Sequence, residues 1–235
     1  MQLFYNPSAS NSSLSFTFEK EESKHIHKVL RKAIGDILFV TNGLGSLFET
    51  EIISISDTKC NVKVLQVKNY EAPKFKIHLA VAPTKMNDRF EWFLEKATEI
   101  GIQEITPVFC NRSERKAINS ERFEKVILAA MKQSNQYFLP RLNQPIKLSE
   151  FLKKPFKGQK FIAHCEESDK SQLFQECLPK MDYHLLIGPE GDFTSDEIQT
   201  AIKHDFIPVS LGNTRLRTET AAVVGCHILN LKNEN

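Results

Sequence analysis

From residue 76 onward, short apolar runs alternate with amphipathic helical runs, and this alternation constrains the fold more than any other feature. Lys76–Ala82 (KIHLAVA), Ile105–Cys110, Phe161–His164, Tyr183–Ile187 and Ile207–Leu211 read as strands. Between them, Asn87–Ile100 reads as a helix with Phe90, Phe93, Leu94, Ala97 and Ile100 on one face and Gly101 as its stop. Further helices are expected over residues 120–137, Asp196–His204 and Thr218–Leu231. Trp92, on the polar-to-apolar border of its helix, is expected in the core. Strand–helix alternation of this kind implies an α/β domain, a mostly parallel sheet covered by helices.

The first 70 or so residues have a different character. Residues 36–41 (DILFVT) form a strand-like run, Gly43 and Gly45 supply a turn, and Leu47–Ile53 and Asn61–Val67 continue the pattern. Short strands with tight turns point to a small β-barrel. One helix is expected inside it, His25–Lys32, with Gly35 just beyond its end. Residues 69–75 (NYEAPKF) form a polar, proline-bearing joint, so the spacing predicts domains over 1–72 and 73–235. No internal repeat or low-complexity tract interrupts either half.

Composition removes several classes. The chain has 235 residues, 41% hydrophobic and 26% charged, which suits one large domain or two modest ones with an ordinary core. No apolar run approaches the roughly 18–20 residues of a membrane helix, and the N-terminus lacks a basic stretch followed by an apolar one, so neither membrane nor secretion is expected. Five cysteines, odd in number and without a C-x-x-C pair, argue against a disulfide framework or zinc site and for reduced thiols in a cytoplasm. His25 and His27 form an H-x-H pair without a third ligand at motif spacing, so no metal is expected.

Lys plus Arg is 31 and Asp plus Glu is 29, so overall charge does not announce nucleic acid. Locally the balance differs. Residues 110–147 carry 8 basic side chains against 3 acidic ones, a local excess of 5. That excess suits phosphate contacts, and it equally suits a solvated helix face. The helix HIHKVLRK, with Lys28 and Arg31, reads either as a surface helix or as a backbone-contacting helix on an RNA-holding barrel.

Two segments carry the chemistry. In Leu185–Glu197 an apolar strand runs into Gly188-Pro189-Glu190-Gly191, and Thr194 with Glu197 forms a capping-box pattern that opens a helix. Backbone amides at a strand C-terminus are where α/β sheets place ligands, although a tight, well-capped turn has the same sequence. In Val209–Ala222 a strand ends in Gly212, a polar loop follows, and Arg217-Thr218-Glu219-Thr220 starts a helix. Thr218 can cap it, and Glu219 suits its positive end, but Arg217 opposes the macrodipole there and so reads as a ligand residue. The small face Ala221, Ala222, Gly225 suits either core packing or a subunit interface. The dinucleotide fingerprint, the P-loop, G-x-S-x-G and H-E-x-x-H are all absent.

Taken together these motifs resemble the RsmE family of 16S ribosomal RNA (uracil-N3) methyltransferases, within the SPOUT class. The resemblance spans nearly the whole chain. It is carried by His27-Lys28-Val29-Leu30-Arg31, by Glu95–Gly101 with Ile105-Thr106-Pro107, and most specifically by Leu186–Gly191 and Leu211-Gly212 through Leu216–Ala221. It implies a PUA-like N-terminal barrel, a SPOUT-type α/β domain with a trefoil knot, S-adenosylmethionine as cofactor, a homodimer, and 16S ribosomal RNA in the small subunit as substrate. By the same resemblance, Ile187, Gly188, Pro189, Gly191, Leu211, Gly212, Leu216 and Thr218 would hold the cofactor, with Thr84 and Phe109 lining the same pocket. Lys28, Arg31, Arg112 and Arg115 would hold RNA.

The sequence departs from the family pattern at Asp192, where a second Gly is usual, at Lys132 and Gln136, and at Leu3, where many relatives carry Arg. For the reaction, Arg217 is the candidate to stabilise a uracil anion, because guanidinium donors suit paired oxygens. Glu190 is either a base or base-orienting group, or a turn carboxylate that ties its loop. The rival reading is an RNA-binding module with a degenerate SPOUT domain. Intact Gly188, Gly191, Gly212 and Arg217 speak against it.

Overall fold

The computed structural model describes residues 1–233. They divide into two compact units, one of Met1–Ala72 with Met131–Leu139, the other of Pro73–Ala130 with the chain from Pro140 onward.

The first unit is a five-stranded sheet of β1 (Leu3–Tyr5), β2 (Ser15–Phe18), β3 (Ile37–Thr41), β4 (Ser46–Ile55) and β5 (Cys60–Asn69), in the order β1-β3-β4-β5-β2. β1 joins β3 in parallel, and the other pairings are antiparallel. Phe4, Phe18, Ile26, Leu38, Val40, Phe48, Ile52 and Val62 form its core. β1 and β2 are too short for a periodic signal, and Leu3 is buried in β1 where relatives carry Arg. The helix expected at His25–Lys32 lies earlier. α1 (Lys20–Lys24) runs into a single π-type turn at His25–Val29, closed by the Leu30 amide donating to the His25 carbonyl at 3.0 Å. Arg31 then turns the chain at φ +54°, so the stop comes before Gly35.

The segment Met131–Leu139 joins Met1–Ala72 in the first unit, and it corrects the helix expected at 120–137. α3 (Ser120–Gln133) ends early because Asn135 adopts φ +53° and the Gln136 amide closes on the Met131 carbonyl at 3.1 Å. The next residues complete the first unit. The Gly45 amide donates to the Tyr137 carbonyl and the Leu139 amide to the Gly43 carbonyl, each at 2.9 Å, and the rings of Tyr70 and Tyr137 stack at 4.3 Å. Gly45 has φ +96°, and a Cβ there would overlap the Phe138 ring. Lys132, one of the departures from the family pattern, pairs with Glu22 at 3.0 Å.

The second unit holds β6 (Ile77–Val81), β7 (Glu104–Phe109), β8 (Arg141–Leu142), β9 (Ile146–Lys147), β10 (Gln159–Ala163), β11 (Ser171–Gln172), β12 (Tyr183–Ile187) and β13 (Ile207–Ser210). Besides α3 its helices are α2 (Asn87–Ile100), α4 (Leu148–Phe151), α5 (Leu173–Glu176), α6 (Ser195–Lys203) and α7 (Thr218–Leu231). Among the described residues these strands form an eight-stranded, all-parallel sheet in the order β11-β13-β10-β12-β6-β7-β8, with β9 beside β7. β6 and β12 are buried at every position, as strands covered on both faces must be.

The chain turns back twice. β12 inserts between β10 and β6, and after β13 the chain returns so that α7 packs on α2, β6 and β12. No repeat or period in the sequence marks this return. Gly225 permits the close approach, since a Cβ on it would overlap Leu185 of β12. That part of the small face is therefore core. Trp92, expected in the core, is 43% exposed on α2.

Two buried histidines interrupt the apolar strands, and their protons can be assigned. The Lys157 carbonyl can only accept, so His184 Nε2, 2.9 Å away, donates to it. A neutral His184 then accepts at Nδ1 from His78 Nδ1 at 3.0 Å, and His78 Nε2 accepts from the Thr106 hydroxyl at 2.7 Å. Asn143 donates to both Thr106 and Glu104, and Glu104 pairs with Lys76. Burial holds His78 far down, to about 3, and lowers His184 as well.

Candidate active site

The site lies at the C-terminal ends of β6, β7, β10, β12 and β13, where parallel strands deliver their loops to one edge. The loop after β12 begins at Gly188, where a Cβ would press on the Phe193 ring at 3.0 Å. Thr194 then caps α6: its hydroxyl accepts the Glu197 amide while Glu197 accepts the Thr194 amide. The loop after β13 turns at Gly212, φ +136°, with Ser210 bridging its amide and carbonyl.

The two loops are joined directly. Thr218 Oγ1 donates to the Gly188 carbonyl at 3.0 Å. Thr218 is therefore the first residue of α7 and a clasp between loops; the helix cap position belongs to Arg217, whose side chain makes no capping bond.

Two adjoining cavities result. One of about 350 Å³ is lined by the loop residues Val209–Leu216 together with Ala163, His164, Cys165, Lys170 and Ala221. The other, about 250 Å³, is lined by Ile187–Glu190, Asp192 and Arg215–Thr218, and shares Ala163, Cys165, Arg215, Leu216 and Ala221 with the first. Paired clefts of this size suit a small-molecule ligand. Thus Ile187, Gly188, Pro189, Leu211, Gly212, Leu216 and Thr218, with Arg217 and Glu190, line this pair of cavities. Gly191 lies beside them with its Cα facing Arg112.

Other expected residues sit differently. Thr84 is buried and donates to the Met86 carbonyl at 2.7 Å, so it lines neither cavity. Phe109 lines a separate cavity of about 550 Å³ with Ser113, Lys147 and Asp196. The Glu190 carboxylate accepts the Lys85 amide at 2.9 Å, which is the loop-tying arrangement.

Arg112 and Arg115 bind loops. Arg112 donates to the carbonyls of Gly191 (2.9 Å) and Phe193 (3.2 Å), and Arg115 to the Lys85 carbonyl (2.9 Å) and the Asn87 side chain. Arg122 likewise meets Glu91, and Lys125 meets Glu121. Much of the basic excess over residues 110–147 is thus engaged by neighbouring groups. In the first unit Lys28 pairs with Asp57 at 3.2 Å, and Arg31 is exposed.

Asp192 explains its own departure from the family pattern. It takes φ +62°, a conformation glycine adopts freely, and its carboxylate accepts the amides of Cys165 at 2.7 Å and Phe193 at 2.8 Å. His164, Cys165 and Lys170 were not expected at the site. A strand-end position after β10 was the only available sign, and β10 gave no glycine loop to draw attention to it.

Comparison with known proteins agrees with this geometry. Residues 71–230 match the family model of the RNA methyltransferase domain, and residues 18–65 that of the RNA methyltransferase PUA domain. Ribosomal RNA small subunit methyltransferase E of Buchnera aphidicola subsp. Acyrthosiphon pisum is 35% identical over 221 residues, 89% of this chain and 85% of that protein. A probable rRNA-methyltransferase from Porphyromonas gingivalis superposes with a TM-score of 0.92 at 35% identity, covering 100% of this chain and 99% of that one. A Legionella pneumophila protein described as a methyltransferase, solved in complex with bound SAM, gives a TM-score of 0.88 at 30% identity over 98% of this chain and 97% of that one. With its catalytic-domain match running through both glycine loops and its PUA match in the first unit, this chain belongs to the RsmE family of RNA methyltransferases.

Proposed function

We propose that this chain methylates N3 of a uridine in 16S ribosomal RNA, using S-adenosylmethionine. The observation that carries the reading is the convergence of Ile187–Glu190 and Leu211–Thr218, clasped by Thr218 and Gly188, on one pair of cavities rimmed by Arg217. The donor set fits the cofactor: an apolar wall of Val209, Leu211, Leu216 and Ala221 for a flat base, and polar backbone at the two glycine turns. When bound, S-adenosylmethionine supplies an electrophilic methyl group on sulfur.

The protein's own task is alignment and charge stabilisation. Uracil N3 becomes nucleophilic only once its proton leaves, and the anion spreads onto both carbonyl oxygens. Arg217 is exposed at the cavity rim, and its guanidinium donors suit those oxygens. Glu190 ties its loop to the Lys85 backbone after β6, and Arg112 holds the Gly191 carbonyl of the same loop. The target base must be unpaired or extruded to reach this edge of the sheet.

The substrate is proposed to be the small ribosomal subunit in the cytoplasm, approached by a homodimer whose first unit contributes Lys28 and Arg31 to RNA phosphates. Among the described residues no helix is long and apolar enough to cross a membrane. The test is transfer from labelled S-adenosylmethionine to small subunits from a strain lacking the gene, read by nucleoside mass spectrometry. N3-methyluridine at one site is the expected product. Cofactor binding with no transfer to any ribosomal RNA would overturn the reading.

A further inference from the structure

His164 follows β10 and lines the larger loop cavity, yet the proposed reaction does not use it. It is nine-tenths buried, and among the described residues its Nε2 has no hydrogen-bond partner. Buried polar atoms are almost always paired, so an orphan in a cavity wall calls for a reason. The neighbouring groups define its chemistry. Lys170 Nζ lies 3.4 Å from His164 Nδ1 and is anchored by the carbonyls of His164 (2.8 Å) and Glu166 (2.5 Å). An ammonium can only donate, so Nδ1 is the accepting nitrogen. The neutral ring then carries its proton on Nε2, which is a donor without an acceptor. Burial and the Lys170 charge both keep the ring neutral by lowering its pKa.

We propose that His164 is a cofactor-binding residue, with Nε2–H donating to a neutral acceptor atom of the adenosyl group. The inference rests on the S-adenosylmethionine reading above. A neutral donor beside a fixed ammonium and an apolar wall suits a ring nitrogen or ribose oxygen. The carboxylate end of the cofactor would instead reward a charged imidazole. Lys170 acts through His164 by setting its tautomer.

The experiment is calorimetry on the full chain with S-adenosylmethionine, S-adenosylhomocysteine and 5′-methylthioadenosine, which keeps the adenosyl group and lacks the amino-acid end. His164→Ala is expected to weaken all three by about tenfold, and His164→Gln, whose amide restores a donor, to recover most of the loss. Equal binding by wild type and His164→Ala would overturn the proposal and leave the cofactor reading intact. A loss confined to the two ligands with an amino-acid end would overturn the adenosyl assignment. Failure of the wild type to bind any of the three would overturn the cofactor reading and this proposal together. Should His164→Ala fold poorly, nitrogen-15 NMR of the wild type decides. An Nε2 proton that becomes slow to exchange and shifts with S-adenosylhomocysteine supports the role, and an unmoved signal overturns it.

Discussion

The Thr218 hydroxyl donates to the Gly188 carbonyl across 3.0 Å, so the first residue of α7 fastens the loop after β12 to the loop after β13. Thr218 is 5% exposed, and the bond is shielded from water. Thr218→Val keeps the shape and removes the donor. A buried carbonyl left without its partner costs about 1–3 kcal/mol. The expected outcome is a lower urea midpoint together with weaker S-adenosylmethionine binding by calorimetry. A drop in stability with unchanged cofactor affinity would show that the clasp does not shape the site.

Gly225 reverses the usual helix rule. In an exposed helix interior Gly→Ala gains about 1 kcal/mol. Here a Cβ would overlap the end of the Leu185 side chain, which is fully buried, so the core around it must shift to admit a methyl group. Gly225→Ala should therefore destabilise the protein by about 1–3 kcal/mol, the range for overpacking. Equilibrium unfolding measures the sign directly, and a stabilised variant would contradict the packing described for α7 on β12.

The His78–His184 pair sets an acid limit. Both rings are held neutral in the fold, with His78 lowered to about 3 from an ordinary 6.5. As pH falls below 6.5 the unfolded chain takes up a proton that the folded His78 does not, so stability declines by up to about 1.4 kcal/mol per pH unit from this group, and His184 adds to the decline in the same direction. Glu104 adds to the decline lower down. Burial pushes its carboxyl up, but the Asn143 hydrogen bond and the Lys76 ammonium outweigh this and hold it at about 2 against an ordinary 4.5. Its contribution is complete above pH 4.5 and is lost as pH falls toward 2. Urea midpoints should fall in the wild type as pH drops from 6.5 to 5, and less steeply in His78→Asn. Parallel profiles would remove His78 from this role.

Arg112 and Lys28 should separate loop holding from phosphate holding. Arg112→Ala deprives the Gly191 and Phe193 carbonyls of their donor. Cofactor affinity should drop several-fold, while the salt dependence of RNA binding stays as it was. Lys28→Ala and Arg31→Ala should each lower the slope of log affinity against log salt by about 1. The opposite assignment of effects would return Arg112 to the RNA surface.

Asp192→Gly tests why this chain lacks the second glycine. The variant relieves a φ of +62° but loses the acceptor for the Cys165 and Phe193 amides. Two bonds to a carboxylate outweigh the strain of one left-handed residue, so a net loss of about 1–2 kcal/mol is expected by urea unfolding.

The amino-acid sequence by itself determined the elements whose cause is local. The apolar runs of β6 and β12, the face of α2 with its Gly101 stop, and the Thr194–Glu197 capping box all depend on residues within a turn or a strand of one another. It also carried the two glycine loops and Arg217, because a strand ending in glycine before a helix start has a fixed spacing along the chain.

What only the tertiary structure decided comes from pairs far apart in sequence. α3 stops at Gln133 because residues 137–139 are taken up by the turn at Gly43–Gly45. Arg112 and Arg115 belong to loops because carbonyls at Gly191 and Lys85 reach them. His164 enters the site because β10 lies between β12 and β13 in the sheet. Periodicity records which face of an element is buried, but it holds no information about which neighbour buries it. The order of parallel strands, and every contact made at their ends, is set by long crossovers that close only when the whole sheet packs.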